Sequence, residues 1–162
     1  MYYRKGVKVM RESEILLVED NENDITLTKR ALAKSNLKNE IIVAKDGEEA
    51  IDYLFGNGAN SCLDGKLCPV LILLDIHLPK IDGLEVLKRI RDDQRTHLCR
   101  VVILTSSEKE GDLLRSYQLG INSFIRKPVD FLQFAEAISQ VGLYWLVLNE
   151  QPPTENIRRT TR

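Results

Sequence analysis

Four short strand-like runs in this 162-residue chain break off on side chains able to do chemistry. Val70-Leu-Ile-Leu-Leu74 runs into Asp75, Ile15-Leu-Leu-Val18 into Glu19-Asp20, Arg100-Val-Val-Ile-Leu104 into Thr105, and Ser123-Phe-Ile-Arg126 into Lys127. In open parallel sheets ligands collect at the carboxyl ends of the strands, so a carboxylate at that transition is a candidate reactive group. Three carboxylates within reach of one another repel unless a hard cation sits among them, and Mg²⁺ is the usual one where carboxylates meet phosphate. A phosphoryl group on an oxygen of Asp75 would supply one of the cation's oxygen ligands, while Lys127 and the Thr105 hydroxyl would neutralise and hydrogen-bond its other oxygens. Taken singly, Asp75 reads as a strand cap, Thr105 as a helix cap and Lys127 as a surface lysine. Their occurrence together at successive strand ends points to a site.

The elements that position these residues follow from the hydrophobic pattern. Continuous Val, Ile and Leu runs bounded by turn residues read as strands buried on both faces. Ile15–Val18, Ile41–Ala44, the run ending at Asp75, Arg100–Thr105 and Ser123–Arg126 supply five. Between them lie five helical stretches. The first follows the capping side chains of 21–24 and reaches about Lys34; the second is capped by Asp46 and ends near Phe55. The third spans Leu84–Arg91 after a turn containing Pro79 and Gly83, where the glycine is expected to take a positive φ. The fourth is expected to be capped by Ser106-Ser107-Glu108 and to stop at Gly120, and the fifth to be capped by Asp130 and to run from Phe131 to Val141. Strict alternation of this kind implies an α/β fold, a five-stranded parallel sheet doubly wound by five helices in the flavodoxin-like manner. Right-handed crossovers place Glu19-Asp20, Asp75, Thr105 and Lys127 at one edge.

Composition narrows the function classes. A formal net charge of -1 with 29% charged residues lacks the basic excess of sequence-independent nucleic-acid binding, so no direct nucleic-acid partner is expected. Cys62, Cys68 and Cys99 are an odd set without Cys-x-x-Cys spacing, which fits a reducing cytoplasm better than a disulfide framework or a zinc site. No apolar run approaches the ~20 residues of a membrane span and no signal peptide is evident, so no membrane partner is expected. Residues 1–13 and 149–162 read as tails around a single domain over 14–148.

With these residues in view, the chain resembles a response-regulator receiver domain of two-component signalling. The resemblance covers about Glu14 to Leu148 and rests on the acidic pair Glu19-Asp20, Asp75, Thr105 and Lys127-Pro128. It implies that Asp75 accepts a phosphoryl group from the phosphohistidine of a sensor histidine kinase. It further implies that Asp20, Asp75 and the main-chain carbonyl of His77 hold Mg²⁺, with Glu19 acting mostly through water. Thr105 and Phe124 would be the switch pair, and the Lys127–Pro128 bond would be cis. The pair is Glu-Asp where the family has Asp-Asp, and Phe124 lacks the hydroxyl of the family's usual Tyr. The stretch from Asn122 to Glu150 is similar to stand-alone regulators of the cyanobacterial phytochrome type, which implies output through protein contacts and a bacterial phytochrome as a candidate kinase.

Rival readings fare less well. A flavodoxin-type phosphate loop would not carry the acids of 19–24, and a dehalogenase-type phosphatase needs an acid where His77 stands. A non-phosphorylated pseudo-receiver acting as a binding module stays open as the alternative. Leu143-Tyr-Trp-Leu-Val-Leu148 is apolar on all sides, which suggests a homodimer interface centred on Trp145 and Leu146.

Overall fold

In the computed structural model, which describes residues 14–56 and 68–150, five parallel strands form one sheet in the order β2-β1-β3-β4-β5. They are β1 (Ile15–Val18), β2 (Ile41–Ala44), β3 (Leu71–Leu74), β4 (Val101–Thr105) and β5 (Ser123–Arg126). The helices are α1 (Glu22–Lys34), α2 (Gly47–Phe55), α3 (Gly83–Asp92), α4 (Glu110–Gln118) and α5 (Phe131–Leu143), the last continuing into a π turn over Tyr144–Leu148. The tails expected at 1–13 and beyond 150, and the loop holding Cys62, lie outside the described residues.

Because β1, β3 and β4 are covered on both faces, every residue of these strands is buried. Alternation then sends their side chains into two separate cores. Leu16, Val18, Ile72, Leu74, Val101 and Ile103 pack with Leu84, Leu87 and Ile90 of α3. Ile15, Leu17, Leu71, Leu73, Val102 and Leu104 pack with Leu32 of α1 and with Phe134 and Ile138 of α5. Burying side chains of this size contributes roughly 1.5–3 kcal/mol each, so the strand ends are held on a rigid support.

Capping departs from expectation at one helix. Asn21, Asp46, Asp82 and Asp130 cap α1, α2, α3 and α5 through side-chain acceptors. α4 instead begins after Lys109 with no side-chain cap, because Ser107 is otherwise engaged: its hydroxyl donates to Asp112 Oδ2 at 2.6 Å. Gly83 also serves a different purpose. It is close approach, not a positive φ, that requires glycine there, since a Cβ would sit 2.0 Å from the Asp75 carbonyl oxygen. The positive φ in that turn belongs to Lys80. Gly120, which ends α4, does adopt a positive φ.

The Lys127–Pro128 bond is trans, a correction to the cis bond implied by resemblance: no peptide among the described residues is cis. The two X–Pro isomers differ by only about 0.5–1 kcal/mol, so local packing decides between them. The apolar run at the end of α5 also differs in detail. Phe131–Leu148 is long and apolar enough to cross a membrane by length and composition, yet Phe134 and Ile138 within it lie in the core.

Candidate functional site

β1 lies between β2 and β3, so the chain leaves β1 in one direction for β2 and returns in the other for β3. A crevice opens at such a reversal, above the carboxyl ends of the two strands. Glu19-Asp20 and Asp75 stand there. One ligand oxygen from each of Glu19, Asp20 and Asp75 lies within 4.8 Å of the others. Lys127 arrives from the end of β5, where its N–H donates to the Thr105 carbonyl oxygen at 2.8 Å. Its Nζ reaches Glu19 Oε2 at 2.5 Å, Asp24 Oδ2 at 2.8 Å and Asp75 Oδ2 at 3.0 Å. The other oxygen of Asp75 accepts the His77 N–H at 3.3 Å.

The charges in this cluster do not balance. Glu19, Asp24 and Asp75 share one ammonium, and Asp20 adds a fourth carboxylate beside them. Burial pushes the Glu19 carboxyl up to about 7, and the Asp75 charge adds to the rise, against the hydrogen bond and charge of Lys127 that pull it down. Burial would lower the Lys127 ammonium, but hydrogen bonds to Asp24 and Glu19 and the charge of Asp75 outweigh it and hold the group above its usual range. Asp20 is exposed while Glu19 and Asp75 are buried. An all-oxygen donor set with excess negative charge and one open side fits a hard divalent cation.

Thr105 is fully buried. The β3–β4 register pairs Leu74 with Ile103, which places Thr105 one residue past the position opposite Asp75. Its Oγ1 accepts the Ser107 N–H at 3.2 Å, and Ser107 is held by Asp112, whose Oδ2 also lies 3.6 Å from His77 Nε2. Phe124 pairs with Ile103 across β4–β5 and is half-buried against the core on the same face as Thr105.

Residues 15–139 match the response regulator receiver domain. The chain belongs to the response regulator receiver family. It is 37% identical over 138 residues to the probable methanogenesis regulatory protein FilR2 of Methanothrix harundinacea, covering 85% of this chain and 86% of that one. It is 35% identical over 132 residues to response regulator Rcp1 of Synechocystis sp., covering 82% of this chain and 88% of that one. Among solved structures, the phosphorylated cyanobacterial phytochrome response regulator RcpA superposes with a TM-score of 0.81 at 37% identity, over 88% of this chain and 99% of the other. The Mn²⁺-bound form of Rcp1 gives 0.80 at 33% identity, over 87% and 99%. The bacteriophytochrome response regulator AtBRR is 50% identical, with a TM-score of 0.65 over 85% and 98%. As a receiver domain the chain acts in two-component signalling, where receivers interact with histidine kinases.

Seen as a receiver, the chain brings Glu19, Asp20, Asp75 and Lys127 together, with Thr105 and Phe124 on the adjoining strands. Two acids of this neighbourhood were missed in the sequence. Asp24 reads as one more capping residue of α1, but Asn21 holds that role by accepting the Asp24 N–H at 3.1 Å, which leaves the Asp24 carboxylate for Lys127. Asp112, inside α4, carries no signal that it faces His77. At the far end of α5, Trp145 and Leu146 are half-buried against the domain's own core. Leu143, Tyr144, Val147 and Leu148 are the exposed members, at 42 to 74% of full exposure.

Proposed function

We propose that this receiver accepts a phosphoryl group on Asp75 from the phosphohistidine of a sensor histidine kinase, in a reaction that requires Mg²⁺, and signals through protein contacts. The observation that carries the reading is the placement of Asp75, with one oxygen 3.0 Å from Lys127 Nζ and the carboxylates of Glu19 and Asp20 beside it. In the transfer a carboxylate oxygen of Asp75 forms the new P–O bond as the P–N bond to the histidine breaks. Asp20, Asp75 and the His77 carbonyl would hold the Mg²⁺ directly, and Glu19 through water. The bound cation supplies positive charge where carboxylate and phosphoryl oxygens crowd together. Lys127 pairs with the phosphoryl oxygens, which loosens its grip on Glu19 and Asp24. Thr105 gives up the Ser107 N–H and turns toward the phosphoryl group, and Phe124, on the same face, follows it inward. Asp75, Thr105 and Lys127 thus carry the chemistry of a protein that is a phosphoacceptor, with no substrate beyond itself.

The kinase surface lies next to the site. A groove of about 290 Å³ runs beside Lys127, lined by Asp24, Leu27, Pro128, Val129, Phe131 and Phe134, and its apolar rim gives a docking helix something to bury. A bacterial phytochrome is the kinase favoured by the likeness to RcpA, a cyanobacterial phytochrome response regulator, and to AtBRR, a bacteriophytochrome response regulator. The domain over 14–148 acts in the cytoplasm, without direct nucleic-acid or membrane contact. It pairs as a homodimer through the end of α5, where Leu143, Tyr144, Val147 and Leu148 form the outward surface and Trp145 and Leu146 support it from within.

Incubation with phosphoramidate tests the reading. One phosphoryl group per chain, seen as a mass increment with Mg²⁺ and lost with a chelator, is the expected result. No increment at any Mg²⁺ concentration favours the pseudo-receiver, a binding module with an unused pocket.

A further inference from the structure

We propose that Asp112, on α4, is a positioning residue of the phosphoacceptor site: its carboxylate holds Ser107, and through Ser107 the Thr105 hydroxyl, in a resting arrangement that has to break when a phosphoryl group arrives. The inference rests on the reading of Asp75 as the phosphoacceptor. The Ser107 hydroxyl donates to Asp112 Oδ2 at 2.6 Å, and the Ser107 N–H donates to Thr105 Oγ1 at 3.2 Å. The same Asp112 oxygen lies 3.6 Å from His77 Nε2, too far for a hydrogen bond but close enough for the ring to face it. His77 in turn donates its N–H to Asp75 Oδ1 at 3.3 Å. One carboxylate thus stands between the segment that follows β3 and the segment that follows β4.

Burial gives this connection its force. Thr105 is fully buried and Ser107 is only 7% exposed. When the Thr105 hydroxyl turns to donate to a phosphoryl oxygen, the Ser107 N–H loses its acceptor. A buried N–H left unpaired bears the full cost of its lost hydration, so residues 106–109 have to shift as Thr105 turns. The bond to Asp112 opposes that shift, and it is short and charge-assisted, the stronger class of hydrogen bond. Two further contacts close the turn around Ser107: the Lys109 N–H donates to Ser107 Oγ at 3.3 Å, and the Asp112 N–H to the Lys109 carbonyl oxygen at 3.1 Å. α4 has little else to hold this end of it, having no side-chain cap and a single buried residue, Ser116.

A bond made in the resting arrangement and broken in the phosphorylated one biases the domain toward rest by its own free energy. Its removal should therefore have two opposite effects. It should lower the stability of the metal-free protein, and it should tighten the binding of a group that draws Thr105 toward Asp75. A residue that only supports α4 produces the first effect without the second. Ser107→Ala and Asp112→Ala delete the same bond from its two ends, so combining them should add little to the affinity gained by either. The contact thus sets, within the domain and before any partner binds, how readily the site accepts a phosphoryl group.

The test titrates the full chain with beryllofluoride, which bonds to a carboxylate oxygen as a phosphoryl group would, in excess Mg²⁺. The Thr105 and Ser107 amides are followed by NMR, and denaturant unfolding of each metal-free variant is measured in parallel. Asp112→Ala should bind about tenfold more tightly than wild type, and Asp112→Asn, which keeps the shape, about threefold, while both unfold at lower denaturant concentration. Ser107→Ala should match Asp112→Ala, and the double variant should differ from either by less than about twofold. Ser116→Ala removes a hydroxyl that bonds the Asp112 carbonyl oxygen at 2.7 Å and not its carboxylate, so it should keep wild-type affinity. A folded Asp112→Asn that binds no more tightly than wild type, or an equal gain in Ser116→Ala, overturns the role of Asp112 and leaves the phosphoacceptor reading intact. Wild type that binds no beryllofluoride at Asp75 overturns that reading, and this inference with it.

Discussion

At the carboxyl edge of the sheet Lys127 Nζ faces Glu19, Asp24 and Asp75 at once, whereas at the amino edge Arg91 donates to the carbonyl oxygens of His97, Cys99 and Gly120 and to Asn122 Oδ1. The amino edge is matched: Arg91 meets neutral acceptors, and the hydrogen bond from Arg95 draws Asp93 down to about 2. The carboxyl edge is overcharged, and burial has pushed Glu19 up to about 7. Matched polar groups stabilise the fold. A buried excess of one charge costs stability, and it makes sense where a cation and a phosphoryl group are to arrive.

The comparison breaks first at its cations. Lys127→Met should cost about 3 kcal/mol in denaturant unfolding of the metal-free protein, because it strands the buried carboxylates of Glu19 and Asp75, and Arg91→Met about 1 kcal/mol, because the oxygens it leaves belong to exposed or half-buried residues. Mg²⁺ should restore part of the loss for Lys127→Met and none for Arg91→Met; equal responses would remove the distinction. The pH dependence has opposite signs at the two edges. Glu19 has a raised folded pKa, so its contribution is present below about 4.5 and lost as pH rises through about 7, on the order of 2 kcal/mol. Asp93 has a depressed one, so its contribution is present above 3.8 and lost as pH falls toward about 2, about 1 kcal/mol. Unfolding of chelated protein against pH should flatten in the upper window for Glu19→Gln and in the lower for Asp93→Asn. Metal titration comes next: Asp20→Asn should weaken Mg²⁺ binding about tenfold, more than Glu19→Gln, since Asp20 is exposed and without an ion-pair partner among the described residues. Equal affinities would argue against Asp20 as the direct ligand. The smallest effect concerns His77, tied to Asp112 at 3.6 Å. His77→Ala should shorten the lifetime of the phosphorylated form by about two- to fivefold if the ring impedes hydrolytic water; an unchanged lifetime discards that role.

The strand-end residues were legible because strand position and turn chemistry are local: a Val/Ile/Leu run followed by Asp75 or Thr105 needs no distant partner to be read. Asp24 was not, because its use depends on Lys127, which lies 103 residues away in sequence. The cap of α4 was misread for a similar reason, Asp112 having drawn Ser107 away. The orientation of Trp145 and Leu146 escaped a helical-wheel reading because the π turn over Tyr144–Leu148 closes on the Tyr144 carbonyl five residues back from Asn149. That extra residue rotates the faces relative to an α-helical period.

The most direct test of the account is peptide mapping of the phosphoryl group after incubation with phosphoramidate and Mg²⁺, on wild type and on Asp75→Asn. The substitution removes one charge from an overcharged cluster and keeps its shape, so the variant should fold at least as stably as wild type in the metal-free state. The account predicts label on Asp75 in wild type and none in the folded variant. Label at wild-type level in Asp75→Asn, or label mapped to another residue in wild type, would contradict it.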